Sequence, residues 1–335
     1  MLTDRMLQIF KCIVDDFVKT AEPVGSKTLM EKYLLPYSSA TIRNDMVTLE
    51  ELGYLEKTHT SSGRIPSIKG YRFYCEHLMD NQIDKKVEFE ITQAFNGASF
   101  NLDDVIKESC DILSRMVNLT AGALGPDSSL ETLEHVKLFP IDETSAVCVF
   151  ITNSGHTENR LFNFDQNISL QDVQTCCEVL NDRLKGTKLT EAVNKLELLR
   201  PILAEKITKY ELLFNVFMKA FVKFASDNVY FSGQSNMLYQ PEFADVEKLK
   251  NLMSLLDQEN GWRDLSLASS KFALDTMKGT KLVWLDDLAV ISSPFVVDDQ
   301  MGQLMVVGPP RMDYDKIVGL LEYISETIER TYRSK

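Results

Sequence analysis

The stretch that decides the fold reads Ser38-Ser39-Ala40-Thr41-Ile42-Arg43-Asn44-Asp45-Met46-Val47-Thr48-Leu49-Glu50-Glu51-Leu52. Ile42, Met46, Leu49 and Leu52 fall on one stripe at helical spacing. With Ile42 at zero on the wheel, Arg43 falls near ~100°, Val47 near ~140°, Asn44 near ~200° and Thr48 near ~240°. Together with Thr41 and with Ser39 at the helix start, they form an outward, DNA-facing candidate set. Ser38 or Ser39 can cap the helix, and Gly53 suits its end. The N-terminal half of such a helix enters the major groove in a helix-turn-helix. There Arg can fork onto guanine, Asn can pair with adenine and a small apolar group can touch a thymine methyl. An ordinary amphipathic helix with a polar outer face has the same pattern, so this helix alone does not choose between the two.

Its neighbours do. Upstream, Met6, Ile9, Phe10, Ile13, Phe17 and Val18 recur at helical spacing until Pro23 and Gly25 break the pattern. Ser26 then caps a short helix bearing Leu29, Met30 and Tyr33. Downstream, Tyr54-Leu55-Glu56-Lys57 and Arg64-Ile65-Pro66 read as two short strands joined by a hydroxyl-rich tip. Three helices and a hairpin make a winged helix-turn-helix over residues 1–80. His59, Thr60 and Ser61 on the tip can bond phosphate oxygens, which orient a protein without reading sequence. Residues 57–75 contain Lys57, Arg64, Lys69 and Arg72 and no acid. This strip is expected to meet the phosphate backbone.

The chain of 335 residues has room for two or three domains, and its 44% hydrophobic content excludes a disordered one. Net charge is −13, but residues 1–80 contribute only −1. An acidic body with one nearly neutral end remains compatible with nucleic acid. No apolar run approaches the ~18 residues of a membrane span, and no signal-peptide pattern is read, so a cytoplasmic location is expected. The six cysteines form no Cys-x-x-Cys and read as free thiols. Phosphate-loop, zinc-protease and serine-hydrolase motifs are missing, so no enzyme, cofactor or metal is expected. Asp286-Asp287 and Asp298-Asp299 read as solvated turns rather than metal ligands.

Four motifs in order then carry a resemblance. Glu22-Pro23-Val24-Gly25-Ser26-Lys27, Ser38 to Asn44, His59-Thr60-Ser61-Ser62-Gly63-Arg64-Ile65-Pro66 and Lys69-Gly70-Tyr71-Arg72 resemble the HrcA family of heat-inducible transcription repressors. Gly233 to Phe243 and Gly302 to Tyr314 are similar to that family's central and C-terminal motifs, so the likeness covers the whole chain. Thr58 stands where the family tends to have Pro, and Ser62 where it has Ala. Met277 to Lys281 departs from the family's acidic stretch. The resemblance implies a GAF-like domain, an inserted dimerising domain and an inverted-repeat operator. It also implies that the chaperonin GroEL keeps the repressor active.

Beyond residue 80 the pattern gives a polar linker at 80–100 and a helix from Leu102 to Thr120. Strands follow at Glu134 to Pro140, Ala146 to Thr152 and Glu158 to Phe164. Helices are read at Ser169 to Leu184, Leu189 to Leu198, Pro201 to Phe224 and Asp245 to Gln258. Late strands run Leu288 to Val297 and Gln303 to Gly308, before a last helix from Tyr314. The fold class is α+β multidomain. The two strand groups are expected to join one antiparallel GAF-like sheet over 81–167 and 285–335, interrupted by a mostly helical dimerising insert over 168–284. Leu212, Leu213, Val216 and Phe217 carry more apolar surface than a lone peripheral helix needs. The functional expectation is a homodimeric repressor of heat-shock chaperone genes. The alternative is a regulator whose GAF-like domain senses a ligand.

Overall fold

A computed structural model describes residues 2–58, 63–96, 102–125, 131–142, 145–153, 155, 157–163, 169–207, 210–225, 229–256, 259–297 and 300–333. The chain divides into two compact units, Met1–Gly125 with Val229–Lys335, and Pro126–Asn228.

The first unit begins with α1 (Asp4–Thr20), α2 (Ser26–Lys32) and α3 (Ser39–Glu51). Thr3 caps α1 and Ser38 caps α3 through their side-chain oxygens. Ile9, Phe10 and Ile13 of α1 pack with Leu29, Ile42 and Leu49 as one buried cluster. Leu52, expected on the inner stripe, lies just past α3 and is 45% exposed. The strands β1 (Leu55–Lys57) and β2 (Arg64–Pro66) pair antiparallel, with Leu55 opposite Pro66. Then come α4 (Ile68–His77), α5 (Lys85–Asn96) and α6 (Leu102–Val117). Residues 80–100 are thus not all linker. α5 buries Ile91 and Phe95, a turn apart, with Val87 and Ala94 packed beside them and Phe89 exposed.

The sheet of this unit has six antiparallel strands in the order β7-β3-β11-β10-β9-β8. They are β3 (Thr120–Leu124), β7 (Val229–Ser232), β8 (Leu274–Asp275), β9 (Lys281–Trp284), β10 (Ala289–Val297) and β11 (Gln300–Gly308). Alternate residues serve opposite faces. Ile291, Leu304 and Val306 join the cluster containing α6 and α13 (Tyr314–Arg333). Val290, Met305 and Val307 join Trp262, Met237 and Phe243, from α11 (Val246–Leu256), α12 (Glu259–Leu267) and the turns before them. Gly122 explains why β3 is so weak a strand signal: a Cβ there would lie 2.2 Å from the Trp262 ring. The indole takes the space a larger side chain would need.

The second unit holds β4 (Leu133–Pro140), β5 (Ser145–Thr152) and β6 (Thr157–Asn163) in their own antiparallel sheet. Four helices complete it: α7 (Leu170–Leu184), α8 (Leu189–Leu198), α9 (Arg200–Lys206) and α10 (Tyr210–Ala225). Asn181 of α7 pins β4, accepting from the Val136 amide at 2.7 Å and donating to the Val136 carbonyl at 2.8 Å. Leu213 and Phe217 are buried in its core. The side chains of Leu212 and Val216 lie outside the described residues.

Two expectations are corrected here. The strand groups do not join one sheet, and the chain divides near residues 125 and 229 rather than 168 and 285. Element order and the family resemblance put β4 to β6 with the late strands, whereas their apolar face is covered by α7 and α10 of their own unit. Strands β7 to β9, only two to four residues long, carry too little pattern to be read. In addition, the single helix expected from Pro201 is two, with α9 ending at Lys206.

Candidate nucleic-acid interface

The N-terminal helices are locked by charged side chains at their ends. Arg5 of α1 forks onto Asp45 of α3 at 2.6 and 3.1 Å. Lys32 of α2 pairs with Asp16 of α1, which also accepts from the Tyr33 hydroxyl at 3.3 Å. The hydroxyls of Ser26 and Ser39 lie 2.9 Å apart and join the starts of α2 and α3. These contacts fix which side of α3 faces out.

On that side Arg43, Asn44 and Val47 are exposed, with Thr41 and Thr48 half-buried. The side chains of Arg43 and Asn44 have no partner among the described residues. Thr41 shares its hydroxyl with the Ser38 cap at 2.9 Å, and Thr48 donates to the Asn44 carbonyl at 3.2 Å. The exposed face therefore offers one free guanidinium, one free amide and one isopropyl group side by side. Beside it lies an open cleft of about 460 Å³ lined by Gly25, Ser26, Lys27, Ser39, Arg43 and Arg64, among others. Lys27 is exposed and was not among the expected site residues. It is the second residue of α2, whose N-cap is Gly25 rather than the expected Ser26, and this place in the first turn is the sequence signal that marks it.

The four cations of the basic strip are not alike. Lys57 is exposed on β1. Arg64 is only 13% exposed and its guanidinium engages Glu50 at 2.6 Å, so it closes α3 onto β2. Lys69 donates to the Leu52 carbonyl at 2.7 Å and lies over the Tyr54 ring, which caps the end of α3. Arg72 lies 3.9 Å from Glu76 and donates to the Lys271 carbonyl at 3.4 Å. His59, Thr60 and Ser61 lie outside the described residues.

Other chemistry is thin. No group of three His, Cys, Asp or Glu side chains suited to a metal ion occurs among the described residues. Asp287 pairs with Lys248 at 2.9 Å, and Asp298-Asp299 lies outside the described residues. All six thiols are free. Cys148 is pushed up by hydrogen bonding with Cys177 and by burial, which leaves it inert. No helix among the described residues is long and apolar enough to cross a membrane.

The model of the HrcA protein C-terminal domain matches residues 103–318. The chain belongs to the HrcA family of heat-inducible transcription repressors. That is a family of transcriptional repressors and not of enzymes. A crystal structure described as that of a hypothetical protein, at 20% identity, covers 100% of this chain and 99% of its own with a TM-score of 0.67, and so shares the fold. Pseudomonas aeruginosa HmgR, at 11% identity, and the Thermotoga maritima IclR, at 14%, align over 98% of this chain. Their own chains are covered to 98% and 99%. Their TM-scores of 0.22 and 0.21 add nothing about the fold.

Proposed function

We propose that residues 1–80 form a winged helix-turn-helix that reads an inverted-repeat operator in double-stranded DNA. On this reading the protein represses heat-shock chaperone genes in the cytoplasm as a homodimer. The observation that carries it is the outward face of α3, where Arg43 and Asn44 stand without internal partners beside the Lys27 cleft. Thr41 and Val47 flank them toward the bases, and Ser39 and Thr48 toward the sugar-phosphate edge. Lys57, Lys27 and the tip residues His59, Thr60 and Ser61 meet phosphates. Arg64 and Lys69 serve mainly by holding the hairpin and α4 against α3, and Arg72 is engaged with Glu76 and the Lys271 carbonyl.

The dimer is assigned to the unit Pro126–Asn228. One face of its three-stranded sheet is packed by helices. The other carries Phe139, Val147 and Leu161 in cross-strand register, and Phe139 and Leu161 are 52% and 59% exposed. Such an apolar row fits a second copy of the same face. The β3-β11-β10 region of the first unit corresponds to the GAF-like domain that family membership implies. The same membership supports dependence on GroEL, since multidomain chains with long-range strand pairing refold slowly and expose apolar surface meanwhile.

A gel shift with inverted-repeat DNA from a chaperone promoter, against a scrambled duplex, tests the reading. Selective binding that falls on mild heating and returns with GroEL and ATP is expected. Equal affinity for the scrambled duplex overturns sequence reading, and full spontaneous recovery removes the chaperonin from the scheme.

A further inference from the structure

Three sequence motifs outside the DNA-facing surface converge on one place in the first unit. They contribute Tyr71, the Gln240-Pro241-Glu242 corner and Arg311. The Arg311 guanidinium is 12% exposed. It forks onto Glu242 at 2.6 and 3.3 Å, donates to Gln240 Oε1 at 3.1 Å, and donates to the Val18 carbonyl at 2.6 Å. Val18 lies in the last turn of α1, where carbonyls lack helical partners and a cation is favoured. The buried Tyr71 hydroxyl, without a hydrogen-bond partner among the described residues, lies within the field of both charges, and its ring is 5.5 Å from that of Tyr314.

The same helix is gripped at its other end. Arg5, in the first turn of α1, holds Asp45 of the recognition helix. Between Arg5 and Val18 the helix rises about 20 Å at ~1.5 Å per residue. α1 is therefore a strut, with α3 at one end and the sheet of the first unit at the other. A protein that binds two half-sites must present two recognition helices at a fixed spacing of about 34 Å or a multiple. A tilt of the strut leaves each helix able to bind one half-site but spoils simultaneous engagement, which is where avidity arises.

We propose that Arg311 is a positioning residue for operator recognition, setting the angle of α1 and hence of α3 through Glu242, Gln240 and Val18. This rests on the DNA-binding reading above. Arg311→Met, Arg311→Lys and Glu242→Gln in the full chain test it. Lys keeps the charge but cannot span three acceptors with a planar fork. Glu242→Gln is the gentler change should Arg311→Met fail to fold. Affinity for the full inverted repeat is expected to fall at least tenfold, with affinity for an isolated half-site unchanged within twofold. Amide hydrogen exchange in residues 17–21 should quicken while β10 and β11 keep their protection. Unchanged binding to the inverted repeat, or an equal loss on the half-site, overturns the positioning role. Should the unmodified protein bind neither DNA, the DNA-binding reading fails and the operator role with it. The exchange readout then judges the joint by itself, and unaltered exchange in residues 17–21 overturns that too.

Discussion

The N-terminal helices and the unit Pro126–Asn228 are both made from contiguous chain, yet they hold together differently. The first ties its helices with ion pairs, Arg5–Asp45, Lys32–Asp16 and Arg64–Glu50, around apolar residues whose cluster continues into the sheet of their unit. The second has an almost wholly apolar core, in which Phe150, Phe162 and Phe217 meet and Asn181 is a polar pin. What each leaves unsatisfied differs accordingly. Carboxylates engage Arg5, Lys32 and Arg64 of the first and a carbonyl engages Lys69, while Arg43, Lys27 and Lys57 have no such partner among the described residues. The second leaves an apolar sheet row. Unspent charge suits a polyanion, and unspent apolar area suits protein.

The largest break in this contrast comes from Phe217→Ala. Phe217 is fully buried, 5.1 Å from the Phe162 ring. Its truncation is expected to cost ~3–5 kcal/mol. The unit should unfold early and the protein sediment as a monomer, while half-site binding survives. Loss of half-site binding in step with that unit would show that the two regions are not separate in function.

The same contrast governs what could be read in advance. Helices α1 to α3 are legible because Pro23, Gly25, Ser38 and Gly53 punctuate them and apolar residues recur at helical spacing between. Arg43, Asn44 and Val47 followed from the wheel alone. The wheel could not show that Arg64 is consumed by Glu50 or Lys69 by the Leu52 carbonyl, since those partners lie 14 and 17 residues away. Strand β3 is hard to read because Gly122 is small to admit Trp262, from a helix about 140 residues later in the chain, while Ala121 and Ala123 face the opposite cluster. Small residues carry little strand propensity. The partners that made them necessary are distant in sequence.

Next in size are Arg43→Ala and Asn44→Ala. Each is expected to weaken operator binding by ~1–3 kcal/mol and to relax discrimination at one base pair. Both side chains lack partners among the described residues, so thermal unfolding should stay within about 0.5 kcal/mol of the parent. Operator titrations beside calorimetry separate the two effects. An equal fall in stability would return α3 to an ordinary structural helix.

Lys57 and Lys69 sharpen the division between free and committed cations. Lys57→Ala should reduce the salt slope of DNA binding by about 0.9 and leave stability alone. Lys69→Ala should leave the slope alone and cost about 0.5–1 kcal/mol through loss of the cap on α3. Binding measured from 50 to 200 mM salt decides it. A reversed pattern would mean that Lys69 leaves Leu52 to reach phosphate.

The smallest effect is expected at Asp315, beside the strut. It accepts from the Tyr74 hydroxyl at 2.9 Å and from the Asp80 amide at 3.3 Å, with Lys11 at 3.9 Å. Burial nonetheless holds its carboxyl above the ordinary value of 3.8, because these partners do not fully replace water. A raised carboxyl pKa means that the folded protein holds this proton more tightly than the unfolded chain. Ionisation therefore opposes folding. The penalty is absent well below pH 3.8, where both states are protonated, grows as pH rises and is complete well above the folded-state pKa. Asp315→Asn keeps an acceptor for Tyr74 and removes the charge. The stability of the variant minus that of the parent should be near its minimum in acid and rise to a plateau toward neutral pH. Urea titrations across pH 3.5 to 7.5 measure this difference directly. A difference that instead falls as pH rises would show that the Lys11 and Tyr74 contacts outweigh burial, making the Asp315 charge part of what holds α1 in place.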